Sequence, residues 1–460
     1  MKLRSFAVTV GCFLLASSVA HAAVVDITSI DDLGVPGRAT SPNLKYSSVA
    51  SAISADGTNI VGTWLTTPTA TADQGWLAPD AAGVSRAVDL GAVQLSTSTS
   101  QRVVPTGVNS SQNMAGAMRF NNVDQAFYAT PPYFAANNSS VFAPQAIAGL
   151  TGSSRATGIN NRNLVVGFDS SGANGVSQSF VYTIGGSVQR VRELSSSTPN
   201  QAYAINTGGM IAGWAANAAG ESQAFLARTA NGAVTQPTIT GSHWSEARAI
   251  NTSGDIAGCF AGRVITGGDC SGAVSSGGTS TGDSTGSEIR AFIVQSGKAT
   301  VLDLPAGYTE SFALGISAHD IVVGTAHAFD QTGHLAKSTA FLWANGATLD
   351  LSLLLPPHDP GNPNTGWESF VTATAITEGP INTVNGLQVI TATVVGQGMI
   401  WASDPLNPTG PFTLQPHAFR MDVAVTVPEP QTWMLLMAGI GLLVWTIRQR
   451  ARATSLRGDY

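Results

Sequence analysis

Apolar positions between Ser47 and Met421 fall in short runs, and the runs come in pairs. Ala52-Ile53-Ser54 is followed by Ile60-Val61-Gly62, Gly107-Val108-Asn109 by Met114-Ala115-Gly116, and Gly158-Ile159-Asn160 by Val165-Val166-Gly167. The series continues with Ala204-Ile205-Asn206 and Ile211-Ala212-Gly213, Ala249-Ile250-Asn251 and Ile256-Ala257-Gly258, and Gly315-Ile316-Ser317 and Val322-Val323-Gly324. A degenerate seventh pair, Ala375-Ile376-Thr377 and Val394-Val395-Gly396, is joined by a longer connection through Asn385-Gly386. Small and β-branched runs flanking Asn, Ser, Asp and Gly predict a strand, a tight turn and an antiparallel return. A third strand then carries an aromatic after a small residue: Trp76, Phe127, Phe180, Phe225, Phe292, Phe341 and Phe419. These rings are core, because a repeat unit must bury a face against its neighbours. A fourth segment follows in several units, as in Val88-Asp89-Leu90, Glu193-Leu194, Leu302-Asp303-Leu304 and Leu349-Asp350-Leu351.

Four short strands in units roughly 45 to 65 residues apart predict an all-β propeller over residues 23–421. Val24 to Gly34 reads as a fourth strand with no first three, while the last repeat ends near its third strand at Phe419. Joining the two would remove two exposed edges. Seven blades is the count this gives, with six and eight as alternatives. A Gly/Ser/Thr-rich insertion at 271–287 interrupts the pattern and predicts a flexible surface loop.

The two ends follow other rules. Residues 1–22 have basic Lys2 and Arg4, an apolar stretch, and Ala20-His21-Ala22, the small-residue pattern of a signal peptide cleaved after Ala22. Near the other end, a linker at 422–431 contains Val427-Pro428-Glu429-Pro430. An apolar run at 432–447 then predicts one transmembrane helix of about 24 Å, and a basic tail at 448–460 follows. Arg448, Arg450 and Arg452 act as the membrane stop and fix the tail in the cytoplasm, leaving the body outside. Proline-glutamate-proline, span and arginine cluster, in this order, resemble the PEP-CTERM sorting signal of Gram-negative bacteria. The resemblance implies an exosortase-type membrane protease as partner. It also implies inner-membrane anchoring first, and the cell surface or extracellular matrix after processing. A permanent single-pass anchor is the alternative. The repeats further resemble extracellular HAF units, with the full triplet in the expected place only at His417-Ala418-Phe419; a second match, His327-Ala328-Phe329, comes too soon after Gly324 to be its repeat's own triplet, a place that Ala340-Phe341 fits. That likeness implies an exported repeat protein and brings no catalytic residue.

Composition narrows function. Charged residues are 11% and glycines number 50, which argues against long surface helices, and a net charge of -6 leaves no basic footprint for nucleic acid. Only Cys259 and Cys270 remain after signal removal. In an oxidising compartment they are expected to pair, with two free thiols the alternative. His319, Asp320, His327, Asp330 and His334 form the densest potential ligand group, but no metal-binding spacing or nucleophile elbow is present. No catalytic residue, metal or cofactor is therefore assigned. Three readings compete. The first is a non-enzymatic surface or matrix protein, an interaction scaffold associated with exopolysaccharide. The second is a lectin-like propeller using Trp64, Trp214, Trp244, Trp343, Trp367 or Trp401. The third is a propeller glycoside hydrolase using Asp303, Asp350 or Glu368.

Overall fold

In the computed structural model, described residues are 24–34, 47–65, 73–79, 88–90, 94–95, 98–99, 102–133, 141–171, 175–191, 194, 197–228, 234–262, 270, 289–332, 334–355, 366–384, 387–402 and 412–427. The expected signal peptide, the insertion at 271–287, Pro428-Glu429-Pro430, the apolar span and the arginine tail lie outside them.

Seven four-stranded antiparallel sheets make an all-β, seven-bladed propeller. The first strands, nearest the axis, are Ser47–Ile53, Arg102–Val108, Ser154–Ile159, Asn200–Ile205, Trp244–Ile250, Glu310–Ile316 and Trp367–Val384. In the last blade, Val24–Gly34 pairs with Thr413–Val427, which pairs with Leu387–Ala402 and so with Trp367–Val384. The N-terminal strand thus completes the final blade.

A β-bulge explains the glycine of every pair. Each first strand carries an extra residue at one shared place: Ser51, Thr106, Thr157, Tyr203, Arg248, Leu314 or Thr374. The kink pushes a carbonyl of that strand towards its neighbour. A Cβ on Gly62, Gly116, Gly167, Gly213, Gly258, Gly324 or Gly396 would collide with that oxygen. Opposite each glycine, on the third strand, stands the recurring aromatic, as in Gly62 with Trp76 and Gly324 with Phe341. All seven rings are buried, filling the room the missing side chain leaves between blades.

In the second, third and fourth blades the turn residue after the first strand ties one blade to the next. Asn109, Asn160 and Asn206 each donate from Nδ2 to the backbone carbonyl of Asn160, Asn206 and Asn251 in turn, at 2.9 to 3.1 Å. Their Oδ1 atoms accept from backbone N–H groups in their own turns. One amide therefore both shapes a turn and bonds to its neighbour.

Three boundaries differ from the sequence expectation. The fourth strands of the third and fifth blades are Val188–Arg190 and Lys298–Val301, so Leu194 and Leu302-Asp303-Leu304 lie beyond the strand, while Glu193 is outside the described residues. Leu302 is a buried plug that still bonds from its N–H to the Ala291 carbonyl, which is why its pattern resembles a strand. The last strand also runs to Val427, so Asp422 to Val427 are sheet where a linker was expected. Val423 and Val425 are buried there, and the alternation with Ala424 and Thr426 is strand periodicity.

Candidate functional site: an arginine-lined axial cavity

The first strands enclose a cavity of about 570 Å³ on the propeller axis. Two rings of its wall follow directly from the repeat. The seven bulged residues form one, and two positions later Ile53, Val108, Ile159, Ile205, Ile250, Ile316 and Ile376 form the other, next to the asparagine turns. The second ring is uniformly aliphatic. The first is chemically mixed: the Thr106, Thr157 and Thr374 hydroxyls donate to backbone carbonyls of the adjacent blade, while Arg248 stacks on Tyr203.

Three arginines line this cavity, Arg102, Arg155 and Arg248, and no carboxylate does among the described lining residues. Each carboxylate that orients them stands behind the wall. Arg155 Nε lies 3.0 Å from Asp124 Oδ2, while Arg119 Nε holds the other oxygen at 2.6 Å. Burial alone would raise the Asp124 pKa, but the hydrogen bonds and charges of Arg119 and Arg155 outweigh it and hold the carboxyl below its ordinary range. Arg248 Nη1 is 3.6 Å from Glu246, which is 2% exposed. Its guanidinium sits 3.9 Å above the Tyr203 ring centroid. Tyr203 is fixed in turn: its hydroxyl donates to Gln201 Oε1 at 2.8 Å and accepts from Trp214 Nε1 at 3.0 Å, with Phe168 edge-on to its ring. Among the described lining residues the three arginines are the only charged side chains. The wall is suited to an anion.

The residues singled out from sequence fall elsewhere. Trp64, Trp244 and Trp343 are buried. Trp367 packs on Phe370 and Phe419, and Trp401 donates to Glu368 Oε2 at 3.1 Å. Trp214 does not line the cavity but bonds to Tyr203, which does. Asp350 accepts from the Ser352 N–H and the Thr339 hydroxyl as a cap, and neither it, Asp303 nor Glu368 lines the cavity. The histidine group is dispersed: His319 binds Glu378 at 2.5 Å, His334 bonds to Thr332, and His327 is buried between Phe312 and Phe329. Among the described residues, no three of His, Cys, Asp and Glu come together as a metal-ligand set. His417 meets both oxygens of Asp32 at 3.0 Å, tying the N-terminal strand to the last blade. Cys259 and Cys270 form a disulfide with Cα atoms 5.8 Å apart, both buried, and the Cys270 N–H donates to Glu246.

Residues 426–451 match the PEP-CTERM protein-sorting motif. The tail is a sorting signal. A PEP-CTERM signal implies export and membrane anchoring, with processing by an exosortase-type membrane enzyme. No helix among the described residues is long and apolar enough to cross a membrane, and the apolar run at 432–447 lies outside them. No curated protein shows a significant sequence match. Among solved structures, the chain is similar to prolyl endopeptidases studied for inter-domain dynamics, at 12% identity and a TM-score of 0.42, over 82% of this chain and 51% of that one. It is also similar to a puromycin-hydrolysing peptidase of Mycobacterium tuberculosis, at 9% identity and a TM-score of 0.34, over 81% of this chain and 61% of the other. The chain thus spans about half to three fifths of the length of those peptidases.

Proposed function

We propose that this PEP-CTERM protein is a non-enzymatic propeller of the cell surface or extracellular matrix, a scaffold that associates with acidic exopolysaccharide through its axial cavity. The observation that carries the reading is the wall of Arg102, Arg155 and Arg248 in a cavity with no lining carboxylate. Sugar carboxylates accept charge-assisted bonds from guanidinium groups, and the Gln201 side-chain amide supplies a neutral polar partner. The hydrolase alternative needs two carboxylates flanking one bond, and none of Asp303, Asp350 and Glu368 lines the cavity. The likeness of the repeats to exported HAF units fits the same reading.

The test is retention of the processed protein on acidic exopolysaccharide from its own host. Changing Arg102, Arg155 and Arg248 together to Gln should cut retention at least tenfold, since each charge-assisted bond contributes about 1.5 to 3 kcal/mol. Retention should also fall with salt, and a neutral polysaccharide should not compete. Equal retention by the variant would refute the cavity as the binding site. Sorting is tested separately. Glu429→Ala should leave insertion intact yet accumulate uncleaved in the inner membrane, whereas identical size and location for variant and wild type would show a plain anchor.

A further inference from the structure

The last blade is built differently from the other six. Its first two strands have 18 and 16 residues, where the first blade has 7 and 7. In the other blades the chain turns back after the recurring Ile or Val. Here it runs on from Thr377 to Val384 and returns from Leu387, so a sheet rises about 25 Å beyond the face that carries the asparagine turns. The flanking strands rise with it: Val24 pairs with Thr426, Thr426 with Val389, and Val427 with Gln388. Its base is braced on both sides. Thr377 donates to the Ala55 carbonyl of the first blade, and Glu378 accepts from the His319 N–H of the sixth.

The end of this tongue is apolar and exposed. Val24, Ile381, Val384 and Leu387 are 58, 44, 50 and 49% exposed, and they are half of the eight large aliphatics exposed among the described residues. Register puts Val24, Thr426, Val389 and Asn382 in one row across the sheet, with the paired Val384 and Leu387 on the same face one step further out. Gly379 to Thr391 and Val423 to Val427 carry no charged residue. Both ends of the body meet here too. Val427 is directly followed by Pro428-Glu429-Pro430, and Val24 lies two residues past the expected cleavage point at Ala22.

We propose that the tip of this tongue is a membrane-contacting surface, seated at the bilayer interface while the tail is intact. The proposal rests on the reading that the tail anchors the chain through 432–447. From Val427 to Thr432 the chain reaches at most about 17 Å, so the tongue cannot stand far from the hydrocarbon. The aliphatic side chains of a tip held that close gain by entering the interfacial layer, with Asp26, two register pairs further in on the Val24 strand, left on the water side. Arg102, at the start of its strand, lies towards the opposite face, which points the arginine side of the cavity away from the membrane.

The test uses the mature chain with its tail, in vesicles of phosphatidylethanolamine and phosphatidylglycerol. An environment-sensitive fluorophore is attached to Leu387→Cys, or to Gln331→Cys in an exposed turn on the opposite face. The label at 387 should shift to the blue and be quenched by lipid-borne nitroxide, while the label at 331 should remain water-like. Vesicle flotation with water-like signals at both positions would overturn the proposal and leave the anchor standing. A chain that does not float with the vesicles would overturn the anchor, and the proposal with it.

Discussion

Ser48 and Ala418 join the two ends of the propeller: the Ala418 N–H donates to Ser48 Oγ at 2.8 Å, across 370 residues of chain. The same bond recurs at ordinary blade boundaries, from Ala126 to Ser154, Ala224 to Ser245 and Ala291 to Ser311. The seam is therefore stitched as tightly as any other boundary. Ser48 Oγ also donates to the Gly34 carbonyl, so one hydroxyl holds the first strand of the first blade to both outer strands of the last. Ser48→Ala should cost about 2 to 3 kcal/mol, because it removes two bonds and orphans a buried N–H. Urea unfolding reads this as a lower midpoint at unchanged slope. An unchanged midpoint would mean that closure rests on the strand pairing alone.

Gly324 is needed for space. A Cβ there would strike the Phe312 carbonyl that the bulge displaces, and backbone cannot yield as a side chain can. Gly324→Ala should cost more than about 3 kcal/mol. Gly297 is the control, with positive φ and no atom within 4 Å of the place a Cβ would take; its change to Ala should cost only about 1 kcal/mol. Equal losses at the two sites would remove the bulge as the reason for the repeated glycine.

The hairpins, the buried aromatics and the closing strand were legible in the sequence because the same pattern is repeated seven times, and repetition separates signal from chance. The bulge was not, since register is a property of two paired strands. The cavity was missed for the same reason. Its signal is nevertheless present: in Ala-Arg-Ala-Ile-Asn, Ala-Tyr-Ala-Ile-Asn and Ala-Thr-Gly-Ile-Asn, ending at Asn251, Asn206 and Asn160, the second position changes chemistry freely inside a frame of small residues followed by Ile-Asn. That position is the bulged, axis-facing residue. Arg102 and Arg155 stand four and two places before their own bulges, and nothing in the linear pattern marks them. The tongue was read as a long connection because residues 377–384 lack apolar alternation, and strand pairing holds them.

Cys259 and Cys270 should matter to both stability and the cavity. The bridge closes a short loop, which by loop entropy contributes about 2 to 3 kcal/mol. It also holds the Cys270 N–H on Glu246, the carboxylate that orients Arg248. Changing both cysteines to Ala should lower the thermal midpoint and weaken retention on acidic polysaccharide, less than Arg248→Gln does. Mass spectrometry finding two alkylatable thiols in the unreduced exported protein would show that the bridge does not form.

His327 should make the sixth blade acid-sensitive. Burial lowers its pKa from 6.5 to about 4, with Phe312 and Phe329 around the ring and Glu310 opposite it on the paired strand. Because the folded value lies below the unfolded one, the unfolded chain takes up the proton first. This contribution is present above about pH 6.5 and is lost as the pH falls towards 4, by at most about 3 kcal/mol. Asp124 and Asp169, whose pKa values are lowered despite burial by their arginine partners, also lose stability in acid. They do so equally in a His327→Gln variant, so the difference between the two proteins isolates the imidazole. Urea midpoints at pH 7.5 and 4.5 should drop further in the wild type than in the variant. Equal drops would mean that His327 already carries its proton in the folded protein at the lower pH.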